Sequence, residues 1–121
     1  MPRGKILVVD DSPTDLAVMT APLRRDGYGV VTASTGEEAL AQLDREIIDL
    51  VLLDVIMPGV NGFQLCRSLR RDQRFSRLPI LFVTSKNQAV DQYWGLKQGA
   101  DGYITKPFSV AQLLTVVQRY V

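Results

Sequence analysis

The sequence contains no histidine, which removes imidazole general bases, histidine metal ligands and any phosphohistidine within the chain. Its chemistry has to use carboxylates, hydroxyls, lysine or a metal ion. A single cysteine, Cys66, excludes an internal disulfide and suits a reducing compartment; set among Phe63, Leu65 and Leu69 it reads as a small core residue. Long apolar runs are absent too. Leu50-Val51-Leu52-Leu53 falls far short of a membrane span, and Met1-Pro2-Arg3-Gly4-Lys5 leads into a strand instead of a signal peptide, so a cytoplasmic protein without membrane association is expected. Charge of one sign is also missing: 14 basic and 13 acidic residues leave a net charge of +1, which gives nucleic acid no electrostatic footing. No glycine-rich nucleotide loop of the P-loop kind is present, so the chain is not expected to phosphorylate itself from ATP.

What is present is one domain's worth of core. A chain of 121 residues with 46% hydrophobic composition supports a single domain over 1–121, and no effector domain is expected. Ile6 to Val9, Val30 to Ala33, Leu50 to Leu53, Ile80 to Val83 and Tyr103-Ile104 read as strands, with segments of helical period between them. Ser12-Pro13 supplies an N-cap and a first-turn proline for helix one, whose inward positions include Leu16, Met19 and Leu23. Thr35 to Glu38 and Ser109 to Gln112 have capping-box form and open helices two and five. Gly27, Gly99 and the Asp72 to Pro79 stretch are stop signals, while Leu65, Leu69, Leu96, Leu113 and Val117 are expected to face inward from helices three, four and five. Pro22 lies where helix one should still run and is expected to kink or shorten it. Strict alternation predicts an α/β fold, a (βα)5 doubly wound parallel sheet with helices on both faces.

In open α/β sheets ligands bind beyond the carboxyl ends of the strands. Just past those ends stand Asp10 and Asp11, Asp54, Thr84 and Ser85, and Lys106. Singly, each reads as a turn, cap or solvated charge. Together they predict a site, because three clustered carboxylates repel unless a cation intervenes. A hard divalent ion such as Mg2+ suits an all-oxygen cluster of this kind, and Lys106 then offers a point charge to a phosphoryl group.

Val8-Val9-Asp10-Asp11-Ser12, the Leu53 to Gly62 run with Asp54-Val55-Ile56-Met57-Pro58, Val83-Thr84-Ser85 and Lys106-Pro107-Phe108 together resemble the response-regulator receiver domain of two-component systems. The likeness covers essentially the whole chain and implies a flavodoxin-like sheet of order 2-1-3-4-5. It implies that Asp54 accepts a phosphoryl group from a sensor histidine kinase or phosphotransfer protein, that Asp10, Asp11, Asp54 and the Ile56 carbonyl hold Mg2+, and that Thr84 and Lys106 contact phosphoryl oxygens. Thr84 and Tyr103 would be the switch residues. Ile56 and Lys86 would border water access to the phosphoryl group. Met57-Pro58 and Asn61-Gly62 would shape the loop after Asp54, with Gly62 allowing a turn.

Output would run through protein contacts on the face of helix four, strand five and helix five, from a monomer or a weak phosphorylation-dependent dimer. The run Trp94 to Ala100 is similar to stand-alone regulators of type IV pilus twitching motility and phototaxis. Trp94 itself reads as packing or partly exposed surface. Arg67, Arg70, Arg71 and Arg74 read as one solvated basic stripe rather than a nucleic-acid surface, since aromatics are not interleaved with them. Two other functions compete. An aspartate-nucleophile phosphohydrolase needs an acid where Ile56 stands, and a flavodoxin-like cofactor binder needs a hydroxyl-rich phosphate loop where Asp10 and Asp11 would repel phosphate.

Overall fold

Period-two alternation inside the strands decides how the layers pack. The computed structural model describes residues 3–121, in the order β1 (Lys5–Val9), α1 (Pro13–Arg25), β2 (Gly29–Ala33), α2 (Gly36–Arg45), β3 (Leu50–Leu53), α3 (Gly62–Arg71), a 3₁₀ turn (Gln73–Phe75), β4 (Ile80–Thr84), α4 (Ala89–Lys97), β5 (Gly102–Thr105) and α5 (Val110–Val117). The strands form one parallel sheet of order β2-β1-β3-β4-β5. Leu7, Val9, Leu53 and Phe82 point to one face and pack with Ala39 and Leu43 of α2 and Leu65, Cys66 and Leu69 of α3. Ile6, Val8, Leu52 and Leu81 point to the other and meet Met19 and Leu23 of α1 and Leu113 and Val117 of α5. Covering both faces explains why every residue of β3 and β4 is buried. Among the described residues no helix is long and apolar enough to cross a membrane.

The helix starts follow local hydrogen-bonding needs. Ser12 caps α1 by accepting from the Asp15 amide at 3.2 Å, and Ser109 and Gln112 form a reciprocal capping box on α5. On α2 the box is offset: Thr35 accepts from the Glu38 amide, but the Glu38 carboxylate reaches the Ser34 amide, one residue upstream of the cap. Asn61 and Gln64 make a further capping box, which fixes where α3 leaves the loop after β3.

Three expectations fail. Pro22 does not shorten α1, which runs on to Arg25 with Pro22 buried and the turn beyond it closed by the Asp26 amide donating to the Pro22 carbonyl. Leu96 does not face inward: it is 51% exposed, and the only buried residue of α4 is Gly95, which lets the helix approach Tyr103 and Phe82 closely. The basic stripe is also broken up. Arg70 is half-buried and donates to the carbonyls of Gly99, Phe75 and Leu78 and to Asp101, while Arg74 lies beyond the end of α3 and pairs with Asp72 and Asp44. Trp94, in contrast, is partly exposed as expected and stacks edge-on with Tyr93 at 5.5 Å.

Candidate functional site

Backbone hydrogen bonds to neighbouring strands fix the site's residues in space. The Asp10 amide donates to the Ala33 carbonyl, the Asp54 amide to the Val9 carbonyl and the Lys106 amide to the Thr84 carbonyl, each at 2.8–3.0 Å. The ladder thus extends one residue past β1, β3 and β5 and sets three side chains at one edge of the sheet. This edge includes the boundary between β1 and β3, where the winding reverses.

Oxygens of Asp10, Asp11 and Asp54 lie within 4.8 Å of one another. Asp10 is fully buried and Asp54 nearly so, whereas Asp11 is exposed. The Lys106 ammonium stands among them, with Nζ 2.6 Å from Asp10, 3.4 Å from Asp54 and 2.9 Å from a fourth carboxylate, Asp15 of α1. Asp10 also accepts from the Ser12 amide at 3.0 Å, and Asp54 accepts from the Ile56 amide at 3.3 Å.

Charge in this cluster is unbalanced. Burial pushes the Asp10 carboxyl above the usual range, the charge of Asp54 adding to it and the bonds from Lys106 and Ser12 opposing it. Burial also works against the Lys106 ammonium, yet its hydrogen bonds to Asp10 and Asp15, with the charges of Asp54 and Asp10, outweigh burial and hold the group above its ordinary range. Both groups therefore cling to protons. Burial explains this for Asp10 and the three facing carboxylates explain it for Lys106, while Asp10, Asp11 and Asp54 form an all-oxygen donor set of the type a hard divalent cation takes.

Other sequence-selected residues take separate places. Thr84 ends β4 fully buried, and its hydroxyl accepts from the Lys86 amide at 3.4 Å. Ser85 is exposed. The Lys86 ammonium is turned toward Asp91, 3.8 Å away, while its carbonyl accepts from the Tyr103 hydroxyl at 2.7 Å. Ile56 is 52% exposed beside Asp54. Gly62 serves a different purpose from the one expected: it has no positive φ, that role falling to Gly59 at +76°, and instead a Cβ on Gly62 would collide with the Asp54 carbonyl. Asp15 was not singled out by the sequence, where it reads as the third residue of a capped helix. Its contact with Lys106 spans 91 positions and leaves no local signal.

Residues 6–118 match the family model of the response regulator receiver domain. The chain is 43% identical over 114 residues to Protein PilH of Pseudomonas aeruginosa, covering 94% of each. It is 46% identical over 105 residues to the alkaline phosphatase synthesis transcriptional regulatory protein PhoP of Bacillus subtilis, where the match takes in 87% of this chain but only 43% of that protein. In structure it is similar to the chemotaxis protein CheY4 of Vibrio cholerae, with a TM-score of 0.91 at 34% identity over 98% of each chain. Covered almost from end to end by these matches, the chain belongs to the response regulator receiver domain family and so to two-component signal transduction.

Proposed function

We propose that Asp54 is the phosphoacceptor of this receiver domain, taking a phosphoryl group from the phosphohistidine of a sensor kinase or phosphotransfer protein. The observation that carries this reading is the placement of the Lys106 ammonium 2.6 Å from Asp10 and 3.4 Å from Asp54, at the sheet edge where ligands bind. One carboxylate oxygen of Asp54 attacks phosphorus; the new O–P bond forms as the P–N bond breaks, and the donor imidazole keeps that electron pair and takes a proton from solvent. The product is an acyl phosphate. Asp10, Asp11, Asp54 and the Ile56 carbonyl would hold Mg2+, which when bound supplies positive charge to the transferring phosphoryl oxygens. Lys106 contacts one of those oxygens, and Thr84 exchanges its bond with the Lys86 amide for a bond to another.

That exchange moves the loop between β4 and α4. Tyr103, bonded to the Lys86 carbonyl, carries the change to the face of α4, β5 and α5, where Tyr93, Trp94 and Leu96 offer exposed apolar surface to an output protein. The 43% identity to Protein PilH fits a role in motility control, and we place the protein in the cytoplasm. Incubation with Mg2+ and a small acyl phosphate, followed by intact mass, tests the core of this reading. A phosphoryl-sized increment on the wild type that Asp54→Ala lacks supports it, and an equal increment on both proteins refutes it.

A further inference from the structure

We infer that Asp15 is a positioning residue for Lys106, a releasable tether that occupies one ammonium N–H until a phosphoryl oxygen replaces it. This inference rests on the phosphoacceptor reading of Asp54. An ammonium has three donors, and here three carboxylates meet them: Asp10 at 2.6 Å, Asp15 at 2.9 Å and Asp54 at 3.4 Å. The longest contact is the one to the reacting residue.

Asp15 is free to make this bond because of how α1 begins. At the third position of a helix an acidic side chain commonly folds back onto the amide of the cap residue. In this chain the Ser12 amide is already taken by Asp10 at 3.0 Å, so the Asp15 carboxylate points instead to Lys106. The same Asp10 that anchors the ammonium also frees Asp15 to hold it.

The three carboxylates differ in what it costs to release them. Asp10 has no exposed surface, and losing its bond to Lys106 would strand a buried charge. The Asp15 side chain is 41% exposed and borders an open cavity of about 430 Å3, shared with Val18, Ser85, Lys106, Pro107 and Phe108, so water can replace the ammonium there. A phosphoryl group on Asp54 therefore draws its N–H from the Asp15 bond. Asp15 keeps the ammonium on the α1 side of the pocket in the resting protein and competes with the phosphoryl oxygen for it.

Asp15→Asn removes the charge and keeps the shape. With magnesium and a small acyl phosphate, labelling of Asp54 should be about two- to fivefold faster than in the wild type, the size expected for loss of one partly exposed ion pair. Asp15→Glu should restore the wild-type rate. Glu37→Gln, which removes an exposed charge outside these contacts, should leave it unchanged and so separates the tether from a general charge effect. The second readout is the 15N resonance of the Lys106 ammonium in the unphosphorylated protein, which should shift in Asp15→Asn and not in Glu37→Gln. An unmoved ammonium resonance, or Asp15→Asn labelling at the wild-type rate, overturns the tether. Failure of the wild type to take label sinks the Asp54 reading instead, and the ammonium resonance then decides the Asp15 contact by itself.

Discussion

The Tyr103 hydroxyl donates to the Lys86 carbonyl at 2.7 Å, tying β5 to the loop that follows β4. Thr84 accepts from the amide of the same residue at 3.4 Å, so both hydroxyls meet at one peptide position. The tyrosine ring has room there because Gly95 lacks a side chain: a Cβ at Gly95 would stand 3.0 Å from two ring carbons of Tyr103 and 3.2 Å from the Phe82 ring. A glycine inside α4 weakens the helix but admits the ring.

Gly95→Ala is expected to turn Tyr103 outward. Alanine favours the helix by about 1 kcal/mol, and rotation of one ring relieves the contact, so net stability should change by less than about 1 kcal/mol. The phenol reports the change. In place, it is pushed up to about 12, by burial first and then by the charges of Asp91 and Asp54; released into water it should titrate near 10, about the ordinary value. The raised phenol contributes stability that is complete below pH ~10 and lost as pH climbs toward ~12, and this loss should shrink in the variant. Alkaline ultraviolet titration, with Tyr103→Phe as the blank for the other tyrosines, checks it. A transition that stays near 12, about the wild-type position, means the ring has not moved.

Much of this arrangement was legible in the sequence, and the parts that were not share a cause. Leu50 to Leu53 could be bounded because an apolar run between polar residues is a local signal, and the structure ends β3 at the same residues. Asp10, Asp54 and Lys106 could be grouped because strand ends in a parallel sheet share an edge. Leu96 was misplaced because helical period identifies a face without saying which face meets the sheet, and in α4 the contact is made by a residue with no side chain. Asp15 and Gly62 were missed or misread for a similar reason. Each acts through a partner that local pattern does not name: Lys106 for one, the Asp54 backbone for the other.

Gly62→Ala should destabilise the fold and the site together. The new Cβ would meet backbone, the Asp54 carbonyl, with Val55 close behind, and no rotamer change relieves that overlap. A cost of about 3 kcal/mol is expected, at the upper end of overpacking effects. Urea denaturation measures it, and a midpoint within error of the wild type would show that the loop can give way.

Cys66 should be an inert thiol whose burial shows only at high pH. Burial raises it to about 11, the charge of Asp101 adding and that of Arg70 opposing. A thiol raised in the folded state contributes stability that is complete below its unfolded value of about 9 and lost as pH rises through about 11, a loss of roughly 2 kcal/mol at pH ~11. Cys66→Ala cannot lose it. The variant should be about 1 kcal/mol less stable than the wild type near neutrality because of the small cavity, and about 1 kcal/mol more stable at pH ~11. Paired urea melts at the two pH values check the reversal; a constant gap would mean that the thiol ionises without opposing the fold.

Ile56 is expected to slow loss of the phosphoryl group proposed for Asp54. Its amide donates to Asp54, which holds the residue at the mouth of the site, and its side chain is 52% exposed, so it can cover the acyl phosphate without being part of the core. An aliphatic chain there offers an attacking water no hydrogen bond. Asparagine at the same position would orient one, and a hydrogen bond worth about 1 kcal/mol in the transition state corresponds to roughly fivefold in rate. Ile56→Asn should therefore lose label about five times faster than the wild type once the phosphodonor is removed, with almost no change in stability because the residue is half in solvent. Decay of the phosphorylated species by intact mass measures the ratio. Equal decay rates would show that Ile56 only packs on the loop and that water reaches the acyl phosphate by another side of the pocket.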